Sequence, residues 1–171
     1  MACYYGFAMP TIGILVSSDL GSRGIRPDTS GNQIRDLFSG QGFEVIRYEV
    51  VPDDQVILED RMRMWSDVDV LDLIVTSGGT GLTKRDVTPE ATKAVVEWQI
   101  PGMAEAMRAQ TLRHTHMAMV SRSIVGVRGH TLIINLPGNP NAVRECIEVV
   151  LPVIPHAIEL LQGGSSPHNA I

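Results

Sequence analysis

The residues best suited to chemistry lie in Leu71–Ala94, LDLIVTSGGTGLTKRDVTPEATKA. Leu71, Leu73, Ile74 and Val75 read as a buried strand. The chain then enters Thr76-Ser77-Gly78-Gly79-Thr80-Gly81, too rich in glycine to continue as a packed strand. Lys84-Arg85-Asp86 adds charge, and Thr88-Pro89-Glu90 reads as a helix start. In that start Thr88 is the cap, Pro89 the first helical residue and Glu90 an acid in the positive first turn. Such a strand, loop and helix build an anion site at the carboxyl end of a sheet strand, because the first amides of a helix have no internal partner. Leu136-Pro137-Gly138-Asn139-Pro140 repeats the arrangement after a second apolar run, Thr131–Leu136, with Asn139 as cap and Pro140 at the first helical position. Neither turn has the GxxxxGK[ST] or GxGxxG spacing. Two readings stand: the turns cradle phosphate groups, or their glycines merely relieve backbone strain. On the first, a β-branched residue at Gly79 should damage ligand binding more than stability, by obstructing the ligand.

Asp53, Asp54 and Asp86 are placed to meet at the same sheet edge. Carboxylates beside phosphate-binding amides are unfavourable unless a cation intervenes. Magnesium suits such a site, being hard, oxygen-seeking and commonly held by one or two carboxylates plus substrate phosphates. Lys84 and Arg85 either offset charge during phosphoryl chemistry or are solvated loop charges. Either Asp53 or Asp54 can cap the helix that follows. His114 and His116 have a spacing that would suit a metal on an extended segment, but no third ligand is placed beside them.

These residues need a scaffold. The chain has 171 residues, 44% of them apolar, enough for one domain with a full core. Thr11–Ser17 is nearly continuously apolar, as in a parallel strand covered on both faces. Ser18–Ser30 reads as a polar loop, Asn32–Gln41 as a helix and Phe43–Val51 as a second strand. A helix through about Trp65 follows, with Ile57, Leu58, Met62 and Trp65 on its apolar stripe. Thr88–Trp98 reads as a helix and Pro101-Gly102 as a break before a Met-rich helix, Met103–Arg113. Ser123–Arg128 and Thr131–Leu136 form a hairpin around Gly129-His130. A long apolar stripe then runs to about Leu161, kinked or split at Pro152 and Pro155. Residues 1–10 are expected to be a loose arm carrying Tyr4, Tyr5 and Phe7, 11–163 the domain and 164–171 a mobile tail.

Composition narrows the partners. With 19 acidic and 14 basic residues the formal charge is −5, which supplies no global attraction to nucleic acid or to an acidic membrane. No apolar run is long enough to span a bilayer, and the first residues lack the pattern of a signal peptide. Two cysteines are too few for a disulfide scaffold, so a reducing cytoplasm is the expected compartment.

The order and spacing of Thr76–Gly81, Arg85-Asp86-Val87-Thr88-Pro89-Glu90-Ala91, Leu136–Pro140 and Pro52-Asp53-Asp54 resemble the molybdenum-cofactor biosynthesis family, the Mog-type molybdopterin adenylyltransferases with their MoaB-type and gephyrin G-domain relatives. The resemblance covers roughly residues 11–163. It implies a three-layer α/β domain with a mostly parallel central sheet, usually as a homotrimer. It implies magnesium-dependent transfer of an adenylyl group from ATP to the terminal phosphate of molybdopterin, releasing pyrophosphate. Asp53 and Asp86 match the catalytic, metal-holding positions. Ser77, Gly78, Gly79, Thr80 and Gly81 match the ligand loop, and Pro137, Gly138 and Asn139 the facing loop. Ser17, Ser18 and Asp19 match the first strand-end loop, one residue shorter here than in the common Mog-type form. A separate molybdenum-inserting protein is the implied partner, since 171 residues hold no second domain. Some relatives keep the fold and pterin site as binding or scaffold proteins, which is the alternative reading; an unrelated phosphate-binding domain is the third.

Overall fold

In the computed structural model, residues 9–164 are described. The expected arm and tail fall almost wholly outside them. One six-stranded sheet, ordered β2-β1-β3-β6-β5-β4, runs through the molecule. Its strands are β1 (Thr11–Ser17), β2 (Glu44–Val51), β3 (Leu73–Ser77), β4 (Trp98–Gln99), β5 (Val125–Arg128) and β6 (Thr131–Leu136). β2, β1, β3 and β6 are parallel neighbours, whereas β5 is antiparallel to β6 and to β4.

Side-chain alternation explains the three layers. Ile12, Ile14 and Val16 of β1 join Leu73, Val75, Leu132, Ile134 and Leu136 on one face. That face is covered by α2 (Thr29–Ser39), α5 (Pro101–Thr111), α6 (Pro140–Val150) and α7 (Ile154–Leu161). Leu15, Ile74 and Ile133 point the other way, against α3 (Gln55–Asp67) and α4 (Thr88–Val95). Both faces being apolar, the parallel strands read as continuous apolar runs rather than alternating ones. Within this core Asn135 is fully buried. Its amide nitrogen donates to Thr76 Oγ1 at 3.0 Å and Thr92 Oγ1 at 2.8 Å, while its oxygen accepts from the Ile124 amide at 3.2 Å. The network ties β3, β6 and α4 together with the polar groups satisfied, as burial requires.

Several local expectations are corrected by long-range contacts. The segment read as a polar loop holds a one-turn helix, α1 (Asp19–Ser22), capped by Ser18, and the start of α2, capped by Asp28 through the Gly31 amide at 2.8 Å. Glycine at position 31 disguised that start, yet a side chain there would collide with Asp28, Tyr48 and Val16. α4 ends at Val95, not Trp98, because the amides of Glu97 and Ile100 donate to Val127 and Val125 (2.8 Å each) and draw the chain onto the sheet as β4. Pro101 opens α5 instead of breaking the chain, in the position where its missing N–H costs nothing. The last apolar stripe is split, as Pro152 required, into α6 and α7.

Candidate functional site

The carboxyl ends of β1, β3 and β6 bring three turns together. Ser77 Oγ, fully buried, donates to the Pro137 carbonyl at 3.0 Å, and the Gly78 amide donates to the Leu136 carbonyl at 3.2 Å. A side chain on Gly138 would stand 3.4 Å from Gly78 Cα. Gly78 and Gly79 have φ of 92° and 63°, in the region that favours glycine. Ser17, Ser18, Ser77, Gly78 and Gly138 line one polar cavity of about 110 Å³. The Gly78 and Gly138 turns thus lie side by side on one cavity, joined by bonds between parallel neighbouring strands. Asn139 caps α6, accepting from the amides of Asn141 (2.9 Å) and Ala142 (3.3 Å).

Thr88 is not the cap of α4. The cap position is Val87, without a side-chain bond, and Thr88 is the first helical residue. Its amide donates to the Gly79 carbonyl at 3.1 Å, while its hydroxyl is buried and unpartnered. A Cβ on Gly79 would lie 2.5 Å from that hydroxyl oxygen and 3.3 Å from Ser17 Oγ. Gly79 is therefore a packing requirement of the protein itself, so a β-branched residue there is expected to cost stability as well as ligand binding.

The acidic residues form a chain. Ser17 Oγ donates to Asp53 Oδ1 at 2.6 Å. Asp19 and Asp53 exchange backbone-to-carboxylate bonds of 3.2 Å in both directions. Arg85 grips the Asp19 carboxylate through Nε (3.1 Å) and Nη2 (2.7 Å), and holds its pKa below the usual carboxylate range. Asp54, not Asp53, caps α3, accepting from Val56 and Ile57. Capping and site chemistry are thus divided between adjacent aspartates.

Asp86 lines an open depression with Thr83, Lys84, Glu90 and Arg122. Burial pushes its pKa up, but hydrogen bonds from Thr83 and the Gly81 amide, with the Arg122 charge, outweigh this and the net shift is downward. Asp86 is therefore ionised at neutral pH and available to a hard cation. No group of three or more His, Cys, Asp or Glu suited to a metal occurs among the described residues. Thr80 and Gly81 bridge the two regions, with the Thr80 and Gly81 carbonyls accepting from the Arg122 amide (3.0 Å) and Nε (2.6 Å).

A feature the sequence reading missed lies beyond Pro137 and Asn139. A cavity of about 440 Å³ opens between α5, the 3-10 helix His116–Val120 and α6, with Arg108, Ser121, Ser123 and Cys146 in its walls. Its size and mixed polar and apolar lining suit a small organic ligand. Burial, with Glu145 nearby, pushes the Cys146 thiol up to about 12, so it contributes a neutral wall rather than a nucleophile. The signal available in the sequence was Ser121-Arg122-Ser123, a polar tripeptide between the Met-rich segment and the hairpin.

Comparison with known proteins accords with this geometry. The family profile described as "Probable molybdopterin binding domain" matches residues 13–156. The molybdopterin adenylyltransferase of Helicobacter pylori strain J99 is 42% identical over 154 residues, covering 89% of this chain and 88% of that protein. The crystal structure of the molybdopterin biosynthesis enzyme MoaB of Thermus thermophilus is 52% identical, with a TM-score of 0.86 over 91% of this chain and 98% of that one. The molybdopterin biosynthesis Mog protein of Mycobacterium ulcerans is 34% identical, with a TM-score of 0.84 over 92% and 99% of the two chains. With its three-layer architecture, adjoining strand-end turns and match over most of its length, the chain belongs to the molybdopterin-binding family of MoaB, MogA and gephyrin G-domain proteins.

Proposed function

We propose that the protein adenylylates molybdopterin with magnesium and ATP. The observation that carries this reading is the joining of a ligand-sized cavity to the strand-end turns through Pro137 and Asn139. On this reading the pterin occupies the 440 Å³ cavity and its terminal phosphate reaches the Gly78–Gly81 and Pro137–Asn139 turns. An oxygen of that phosphate bonds to the α-phosphorus of ATP. The α-phosphorus to bridging-oxygen bond breaks, and pyrophosphate leaves with the electron pair. The attacking phosphate is already anionic near neutral pH, so alignment and charge neutralisation are what the protein must supply. The ionised Asp86, with Asp53, would hold magnesium, whose contribution when bound is to neutralise phosphate charge.

The test is incubation of the purified chain with molybdopterin and magnesium-ATP, followed by mass analysis. Adenylylated molybdopterin and pyrophosphate are the expected products. A second reading, a binding protein without turnover, is favoured by one observation: both Asp53 oxygens already accept bonds from Ser17 and Asp19. Tight pterin binding without product would select it. Assembly as a homotrimer is proposed on the family resemblance, as is hand-over of product to a separate molybdenum-inserting chain. Light scattering should give three times the 18.6 kDa chain mass, and a monomer mass at working concentration would contradict the trimer. No helix among the described residues is long and apolar enough to cross a membrane.

A further inference from the structure

We propose that Arg122 is a positioning residue that fastens the Asp86 loop to the wall of the 440 Å³ cavity, so that a ligand seated there orders the loop carrying Asp86. The inference rests on the function proposed above. Ser121 is extended, with φ −71° and ψ 123°. In extended backbone, successive side chains point to opposite sides. Ser121 and Ser123 line the cavity, with their hydroxyl oxygens 3.0 Å apart. Arg122, between them, reaches the other way. Its Nε donates to the Gly81 carbonyl and its Nη2 to the Asp86 carbonyl, each at 2.6 Å, while Nη1 pairs with Glu90 in the first turn of α4. Its backbone amide donates to the Thr80 carbonyl at 3.0 Å. One residue thus holds both ends of the 80–86 loop, whose middle, Leu82–Arg85, is exposed. The guanidinium offers its donors in a rigid plane, a geometry that a lysine ammonium does not reproduce. The cavity wall is anchored in turn, since Arg108 of α5 donates to the Ser123 carbonyl at 3.0 Å.

A ligand that immobilises Ser121 and Ser123 also immobilises Arg122, and lowers the entropy still to be lost when the loop orders around nucleotide and magnesium. Two binding events that share an ordering cost favour each other. By linkage, magnesium-nucleotide must then tighten molybdopterin binding by the same factor by which molybdopterin tightens magnesium-nucleotide.

The experiment combines hydrogen exchange over residues 80–88 of the full chain, with and without molybdopterin, and molybdopterin affinity with and without magnesium and an ATP analogue that cannot be cleaved at the α-phosphorus. In the wild-type protein, molybdopterin should slow exchange in that segment, and the two ligands should tighten each other about fivefold, within the range of ordinary couplings. Arg122→Gln keeps the backbone amide and loses the fork. It should bind molybdopterin alone as the wild type does, lose both the protection and the mutual tightening, and turn over about tenfold more slowly, a kcat effect without loss of pterin binding. Arg122→Lys should recover part of each. Should Arg122→Gln not fold, the wild-type exchange data and the Lys variant decide. Molybdopterin that binds wild type without slowing exchange at 80–88, or coupling undiminished in either variant, overturns the role of Arg122 and leaves the function standing. A wild-type protein that binds no molybdopterin overturns both.

Discussion

Asp86→Asn should abolish most adenylyl transfer, by about a hundredfold or more, the cost of removing one preorganised electrostatic contact from a reacting phosphate. The substitution is close to isosteric, so it removes charge and little else. Asp86 is held ionised by bonds from Thr83 and Gly81 and by the Arg122 charge, against the upward push of burial. Asparagine keeps one acceptor for the Thr83 amide, which Asp86 Oδ2 engages at 2.8 Å, but offers a magnesium ion no anion. Pterin affinity should largely survive, because Asp86 lies in its own depression and not in the walls of the 440 Å³ cavity. Magnesium-dependent product formation and pterin binding, measured side by side, check this. Turnover at the wild-type rate would remove Asp86 from the mechanism. Asp53 makes a less clean target, though not because of helix capping, which belongs to Asp54. Truncating Asp53 releases Ser17 Oγ and the Asp19 amide, so a rate loss would mix chemistry with the collapse of the first strand-end turn.

Gly79→Val should destabilise the whole protein rather than the ligand site alone. Two terms add. A residue with a Cβ in the left-handed region costs about 1–2 kcal/mol, with a β-branched side chain toward the upper end. Overpacking against a buried neighbour adds about 1–3 kcal/mol; here the neighbour is the Thr88 hydroxyl, 2.5 Å from where Cβ would stand. Thr88 cannot readily retreat, being fully buried at the start of α4. The sum is about 2–5 kcal/mol, and at roughly 2–4 °C per kcal/mol for a chain of this size the midpoint should fall by on the order of 10 °C. Thermal unfolding followed by circular dichroism measures it, and a wild-type midpoint would show that the loop relaxes freely. Gly81→Ala is the milder probe of the same loop. No left-handed φ constrains it, and its Cβ would lie 3.1 Å from an Asp86 carboxylate oxygen. It should leave the midpoint nearly unchanged while displacing Asp86.

What the sequence determined by itself was whatever depends on near neighbours. The apolar run Thr11–Ser17 is β1 to the residue, and Thr131–Leu136 is β6 to the residue, because strands buried on both faces read as nearly continuous apolar runs. Asn139 and Pro140 mark the start of α6, since cap and first-turn chemistry are set within three residues. The two glycine turns were legible for the same reason, each following an apolar strand and preceding a helix. Tertiary structure decided what depends on partners far along the chain. β4 exists only because β5 offers it a free edge, so α4 stops early. The role of Gly79 is set by Thr88 and Ser17. Asp53 and Asp54 are indistinguishable as neighbours in sequence, and packing alone turned one to Ser17 and the other to the amides of α3. Arg122 meets Gly81 and Asp86 across separations of 41 and 36 residues, and the cavity beside it forms only where α5 and α6 converge. Spacing within a segment carries no record of such meetings, because a side chain's partners are chosen by the packing of layers and not by its neighbours in the chain.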